Sequence, residues 1–559
     1  MNFFTISIGI LFTILSTAIL SYISLATMLG PWIAPFLILL SNLLVSLRFK
    51  KKSPLTIKQE IISIQAIAAG GGIIAVGIGF AVPVLYFLDK QAFICWLQDP
   101  YRFCWLIMAV CISAGSLGIF LGRRFIATLV DQNDLPFPVS KLTYKVMIVK
   151  EQLQQTLSMF AGIVSSLVVN GLRDGLYSFK GILPHSIYIF PRLFGQKLEF
   201  TLWPFIWAIG YTVGPVVAFP LFVGLLSKYA VLYPLNHHST FLPFSLFKPM
   251  INESFVTAFC SGLVISELIV GVLQNPSPCI KFIKKIVGHT CLIIKQPLKY
   301  ISSWILTLFS DFPKKSEHHN ILHKLEPIFA FATTFALLRY LKFSIPAQIV
   351  LITFTIIATY EISFIGAKIG LLQLGRFSAF VLIPMMLIFK LNFIQITAIC
   401  VFFNVCAATC SDFLFDCKTG SFCDLKRTSI HLAQWIGLLV TSLSIGIIMY
   451  LLFTHLTLGS DQLVAARGRS RALLVQTLNL DMYVVGLGFL YGVILKKMKI
   501  SPTMTFGGII MPNHLTIGLI FGGLISLLPR DKEKYIPFCS GVFASGALWI
   551  LISILLKIL

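Results

Sequence analysis

An all-α polytopic membrane protein of about sixteen transmembrane helices is what this sequence predicts, on three observations. Of its 559 residues 57% are hydrophobic and only 12% are charged, far from the composition of a water-soluble domain. Apolar runs close to the ~20 residues that cross a hydrocarbon core recur from Phe3 to Leu556. Lys and Arg gather in the short segments between those runs, as in loops that set membrane orientation. The net charge of +23 therefore does not point to nucleic acid, and the bilayer is the expected environment.

Taken in order, the predicted spans of the first half are 3–27, 31–47, 61–88, 104–122, 157–175, 200–217, 219–235 and 254–274. Those of the second half are 327–343, 346–366, 376–390, 392–411, 430–456, 480–496, 505–528 and 535–557. The first run is too long for a signal peptide's apolar region and lacks a basic flank, so it is expected to stay as a span. Short runs such as 376–390 suit half-helices, because irregular backbone at membrane depth must be buried in protein or line a water cavity. With both termini cytoplasmic, the basic loops Arg48 to Lys52, Arg123 to Lys150, Lys281 to Lys324, Lys418 to Arg427 and Lys496 to Lys499 all fall inside, as the positive-inside rule asks. Arg467, Arg469 and Arg471, and the mixed charges of Arg173 to Lys197, fall outside and oppose it. The cell membrane is the expected location.

The twelve cysteines lie mostly within apolar runs and read as packing residues. Cys95 and Cys104 flank one outside loop, where a disulfide is open. Cys406, Cys410, Cys417 and Cys423 lack the tight paired spacing of structural zinc, and His318, His319 and His323 belong to a basic loop, so neither a metal nor another cofactor is expected.

Phe259-Cys260-Ser261-Gly262 recurs half a chain later as Phe538-Cys539-Ser540-Gly541, and F-x-G-L-[L/I]-S precedes each copy, at Phe222 to Ser227 and Phe521 to Ser526. The order of the matches implies duplication. With eight spans per half, the copies enter the membrane in the same sense, a parallel repeat. The division is a first membrane repeat at 1–275, a basic cytoplasmic loop at 276–326 and a second repeat at 327–559.

Several segments resemble the oligopeptide transporter superfamily, which includes the yellow-stripe-like metal-chelate carriers. Glu60, Gln65, Gly70-Gly71-Gly72, Gly79-Phe80 and Pro83 are similar to its E-x-x-x-x-Q, glycine cluster and G-x-x-F-x-x-P segment. Leu135-Pro136-Phe137-Pro138 resembles the loop after its fourth span, and Tyr211 to Gly224 its glycine-rich pair of spans. Ser411-Asp412 with Asp416-Cys417-Lys418-Thr419-Gly420, followed by His431 to Gly437, resembles its S-D-x-x-Q-D-L-K-T-G signature, with Phe415 and Cys417 standing where the family has Gln and Leu. Val139-Ser140-Lys141 likewise departs from the family's usual continuation. The resemblance implies proton-coupled uptake of short peptides or peptide-like metal chelates.

Ionisable and amide side chains inside apolar runs are the candidate site residues, because their burial is costly unless they work or are paired. Glu267 stands mid-span as a candidate proton carrier, against the plainer reading of a carboxylate hydrogen-bonded to a neighbouring helix. Glu60 and Gln65 begin the third span beside three glycines, either lining a ligand path or steadying a helix start. Asp412, Asp416 and Lys418 are placed at a cytoplasmic span end, as a charge-pair gate or a solvated loop. Asn513 and His514 follow Gly507-Gly508 and Pro512, as though a helix were broken there. The absence of a phosphate-binding glycine loop argues against an ATP-driven pump, and the chain is not expected to be an enzyme. A secondary carrier is the first reading. A membrane-embedded enzyme on lipid-linked substrate is the alternative, a scaffold or channel subunit a third, and a homo-oligomer stays open.

Overall fold

The computed structural model describes the chain except for residues 1, 28–32, 49–53, 132–134, 136, 149–151, 176–180, 194–195, 233–251, 275–320, 370–371, 373, 461, 477–480, 530 and 559. Most helices overlap the predicted apolar runs, and α5, α7 and α17 lie between them. They are α1 (Phe3–Ala26), α2 (Ala34–Arg48), α3 (Pro54–Gly79), α4 (Pro83–Leu88), α5 (Lys90–Leu97), α6 (Pro100–Phe125), α7 (Pro138–Ile148), α8 (Gln152–Asp174), α9 (Pro204–Val213), α10 (Pro215–Ser227) and α11 (Asn252–Gln274). After the undescribed stretch come α12 (Ile321–Tyr340), α13 (Ile345–Ile369), α14 (Leu374–Ile388), α15 (Phe393–Ser421), α16 (Arg427–His455), α17 (Ala466–Gln476), α18 (Met482–Lys497), α19 (Pro502–Ile510), α20 (Asn513–Ile525) and α21 (Ile536–Ile558). Among the described residues eight helices are long and apolar enough to cross a membrane: α1, α3 with α4, α6, α8, α10, α13, α15 and α16. The protein is a multi-pass, membrane-embedded helical chain.

The departures from the expected map have local causes. Residues 200–201 belong to a two-stranded antiparallel hairpin, Ser186–Leu193 with Gln196–Thr201, whose polar-apolar alternation suits a strand rather than a span. A break at Gly214, with φ of +79°, divides α9 from α10, and Met511 with Pro512 divides α19 from α20. At ~1.5 Å per residue none of α9, α19 and α20 is long enough alone for a ~30 Å core. The predicted loop 276–326 ends at Ile321, where α12 begins, and its earlier part lies outside the described residues. Cys95 and Cys104 are free thiols.

Four helix crossings are drawn together by glycine, since a Cβ there would overlap a backbone carbonyl of the opposite helix. Where α8 meets α21, Gly162 lies on the Phe538 carbonyl and Gly541 on that of Met159. Where α18 meets α11, Gly488 lies on the Phe259 carbonyl and Gly262 on that of Val485. Gly210 and Gly522 join α9 to α20 through the Leu519 and Trp207 carbonyls, and Gly224 and Gly508 join α10 to α19 through those of Thr505 and Leu221. Exchanging α8–α11 with α18–α21 turns the first crossing into the second and the third into the fourth. Such small-residue contacts let helices approach where lipid supplies no hydrophobic drive between them. The same exchange relates two loops: Phe137 N–H donates to the Ala367 carbonyl ending α13 at 2.9 Å, and Ala465 N–H to the Leu25 carbonyl ending α1 at 2.7 Å. Both donors have positive φ, 41° and 47°.

This relation corrects two expectations. It pairs Gly224 with Gly522, one residue off the F-x-G-L-[L/I]-S alignment, and it pairs α1 with α13, leaving α12 outside both copies. It also sets the direction of the repeat. In chain order α3 is the partner of α15, and these two run antiparallel: Gln65 meets Asp416 at one end and Gly77 meets Asn404 at the other. A two-fold that exchanges antiparallel helices lies across them, not along them, so the copies are not the parallel eight-helix repeats expected from the span count.

Candidate functional site

The site forms where α15 passes between α3 and α16. Asn392 and Gln395 make a reciprocal capping box at the start of α15, which satisfies two otherwise orphaned donors. From there the helix runs unbroken to Ser421, ten residues beyond the predicted end at 411. Phe413, Leu414 and Phe415 continue its buried apolar surface, so Asp412 and Asp416 are one helical turn apart on an inner face instead of in a solvated loop.

Both carboxylates are held by amides. Gln434 of α16 donates through its single Nε2 to Asp412 Oδ2 at 2.9 Å and to Asp416 Oδ2 at 2.8 Å. Gln65 of α3 donates to Asp416 Oδ1 at 3.1 Å. A carboxylate only accepts, which is why the amide nitrogens face it. Asp416 is 2% exposed, and Asp412 is half-buried. Gln65 Oε1 is buried without a partner, a free acceptor in the cluster. Gly70 gives Gln434 its room, since a Cβ there would come within 2.9 Å of Gln434 Oε1. Among the described residues no Lys, Arg or His forms an ion pair with either aspartate. Amide hydrogen bonds orient the two carboxyl groups but supply no counter-charge.

A polar cleft of about 210 Å³ lies toward the start of α3, lined by Thr56, Gln59, Glu60, Ser63, Asp424, Leu425, Lys426 and Ser429. Its Ser63 and Ser429 precede Gln65 and Gln434 by two and five residues, roughly 3 and 8 Å along the helix axes. Glu60 therefore lines the approach and does not join the aspartates; it accepts from Asn2 Nδ2 at 2.8 Å and from Thr5 Oγ1, tying α1 to α3.

The other candidates are placed elsewhere. Glu267 is buried and ion-paired with Lys496, Nζ to Oε1 2.7 Å, with Ser501 Oγ at 3.5 Å from Oε2; the plainer reading of a carboxylate bound to a neighbouring helix holds. Lys418 points away from the aspartates, its Nζ 3.5 Å from the Val130 carbonyl and 5.7 Å from the Phe137 ring centre. The expected charge-pair gate does not form, because two residues beyond Asp416 is the opposite side of a helix. Asn513 opens α20, accepting from Lys228 Nζ at 3.0 Å and donating to Tyr229 OH at 2.6 Å, and His514 is half-buried next to it. Lys228 and Tyr229 belong to a π-helical extension of α10, a wide turn often found at functional sites.

Reading the sequence missed three contributors. Gln434 lies in the segment that carried the family resemblance, and an amide in the run Leu432 to Val440 was its available signal. Glu326 joins Arg123 at 2.8 Å and His431 at 2.9 Å, one turn of α16 from Gln434. His431 Nε2 must hold the proton to reach that carboxylate, so the Trp435 N–H at 3.3 Å is a contact without a lone pair to receive it. Arg471, expected in an outside loop, is 4% exposed, its Nη1 donating to the Phe80 carbonyl and its Nη2 3.5 Å from Asn404 Oδ1. Among the described residues no group of three His, Cys, Asp or Glu is arranged to hold a metal ion. Cys406 and Cys410 contact Thr359 and Ser363 instead, and His318 and His319 lie outside the described residues.

No protein-family model matches this chain, and no curated protein matches it.

Proposed function

We propose that the chain is a secondary active transporter, a proton-coupled symporter for oligopeptides or peptide-like metal chelates, in which Asp412 and Asp416 bind the coupling cation. One observation carries this reading: two carboxylates inside a membrane helix share a single amide and, among the described residues, have no side-chain counter-charge, so each turnover has a place for a cation to enter and leave. The similarity of the Ser411 to Gly420 segment to the oligopeptide transporter signature supports the solute class. The glycine-bound copies support an inverted repeat with its two-fold in the membrane plane, an arrangement that places discontinuous helices around a central path and permits alternating access. About sixteen helices then lie in the cell membrane, both termini cytoplasmic.

Uptake of a short-peptide and metal-chelate panel into proteoliposomes, with and without an imposed inward proton gradient, is the test. Gradient-stimulated, saturable uptake of at least one solute is expected, and binding without flux across the whole panel would overturn the reading. Repeat direction is tested separately with Glu253→Cys and Glu533→Cys, which stand before the two F-C-S-G copies. An impermeant thiol reagent should reach them from opposite faces; labelling from one face would restore parallel copies.

A further inference from the structure

The polar cleft at the start of α3 lies on the same helix faces as the aspartate cluster. Thr56, Gln59, Glu60 and Ser63 line it from α3, at the i, i+3, i+4, i+7 spacing of a single helix stripe. Ser429 lines it from the first turn of α16, and Asp424, Leu425 and Lys426 from the turn that joins α15 to α16. The cavity of about 210 Å³ is thus bounded by the three helices that hold the cluster, or by the turn that ends one of them. Gln59 ties two of its walls together, its Nε2 donating to the Cys423 and Asp424 carbonyls at 3.2 and 3.3 Å, both long bonds.

One turn on from Ser63 the α3 stripe reaches Ala66 and Ile67, and one turn on from Ser429 the α16 face reaches Ala433. These three side chains are fully buried and form an apolar cluster of their own, separate from the main core. Gly437 lets α16 close on α3 there, since a Cβ on it would lie 2.4 Å from the Ile67 carbonyl. Next on the stripe is Gly70, where a Cβ would stand 2.9 Å from Gln434 Oε1 and 3.7 Å from Asp412 Oδ2. Polar cleft, apolar cluster and aspartates therefore follow one another between Ser63 and Gly70, roughly 10 Å of helix. Asp412 keeps part of its surface open while the three apolar side chains keep none, so the open surface of Asp412 is not reached from the cleft by way of them.

We propose that the cleft is the port through which the coupling cation reaches Asp412 and Asp416, and that Ala66, Ile67 and Ala433 are its gate, closed in this structure. A seal one turn thick suffices, because an ion in an apolar constriction loses water and finds no donor atoms to replace it. The lining suits a cation: it carries two carboxylates, Glu60 and Asp424, against one ammonium, Lys426. Its hydroxyls and the Gln59 amide offer oxygens to an ion that has shed part of its hydration shell. The gate's own side chains have no polar group to unpair, so opening needs α3 and α16 to part at Ile67 and Gly437 and the long Gln59 bonds to give. The inference rests on the transport reading for the identity of the ion, but access to the aspartates is measurable without flux.

Modification by an impermeant cationic thiol reagent in sealed membrane vesicles tests it, with each modified cysteine identified by mass spectrometry of its peptide. Ser429→Cys, outside the gate, defines the face on which the port opens. From that face Asp412→Cys, inside the gate, is expected to react at least tenfold more slowly than Ser429→Cys. Ala433→Ser, which wets the gate, and Ile67→Ala, which thins it, should each raise the Asp412→Cys rate at least fivefold and leave that of Ser429→Cys unchanged. Asp412→Cys reacting as fast as Ser429→Cys without a gate variant, no rise with either variant, or a rise from both faces alike would overturn the gate. Ser429→Cys unreactive from both faces would overturn the port. Gate-dependent labelling without gradient-driven uptake would keep the port and reject transport, whereas uptake with labelling indifferent to both gate variants would do the reverse.

Discussion

Glu267 and the Asp412–Asp416 pair are both carboxylates inside apolar helices, and they stand in opposite situations. Glu267 meets Lys496 in an ion pair, while among the described residues the two aspartates meet Gln65 and Gln434 and no cationic side chain. The counter-charge distinguishes them. A buried carboxylate whose cation is another side chain is a clamp between helices, here α11 and α18. One whose partners are neutral amides is held in position without a side-chain counter-charge, and on the transport reading proposed above it is where the coupling cation would bind.

The comparison is sharpest where one partner is removed. Glu267→Gln strands Lys496 in a buried setting and should lower stability by about 3–5 kcal/mol, the usual cost of breaking a buried pair. Thermal unfolding in detergent reads this, and adding Lys496→Met should recover most of the loss; an unchanged unfolding midpoint in the single variant would remove the clamp. Asp416→Asn should do the contrary, leaving the fold intact or firmer while gradient-driven uptake falls about 10- to 100-fold, the worth of hydrogen bonding to a charged group. Uptake at the parent rate in Asp416→Asn would make the aspartates a second structural pair. Gln434→Leu, which removes the shared amide and leaves both acids, should reduce uptake about fivefold. Smallest of all, Lys418→Met should change uptake less than twofold, since its bond to the Val130 carbonyl is long; a loss as large as that of Asp416→Asn would return Lys418 to the site.

Much of this was legible in the sequence, and what was not has a common cause. Apolar runs locate helices because burying backbone in lipid demands them, and Gln65, Asp412 and Asp416 stood out as polar groups in such runs. Lys496 completes its site from 229 residues away in the chain and Gln434 from the helix directly after α15, and no local pattern announces either meeting. Arg467 and Arg471 were misplaced because a run rich in arginine reads as a watered loop; their burial follows from α17 folding back against α4 and α11. The hairpin at Ser186–Thr201 was absorbed into a span edge because Phe200 and Trp203 are as apolar as a helix requires, though the alternation before them has period two. The F-C-S-G matches located the duplication, but a tetrapeptide has no direction, and only the pairing of Gln65 with Asp416 and Gly77 with Asn404 supplies one.

The glycine seams have a mechanical meaning. At those four crossings main chain faces main chain at the glycines, and at one of them, α11 with α18, the Glu267–Lys496 pair also bridges the helices. Sliding there trades many weak dispersion contacts for others of similar depth, as a plain bearing does, whereas interlocked side chains would act as a ratchet. If the copies move relative to one another, the resistance lies at groups that bond across the bundle, such as Glu267 with Lys496 on the α11–α18 seam and Arg471 with Phe80 away from it.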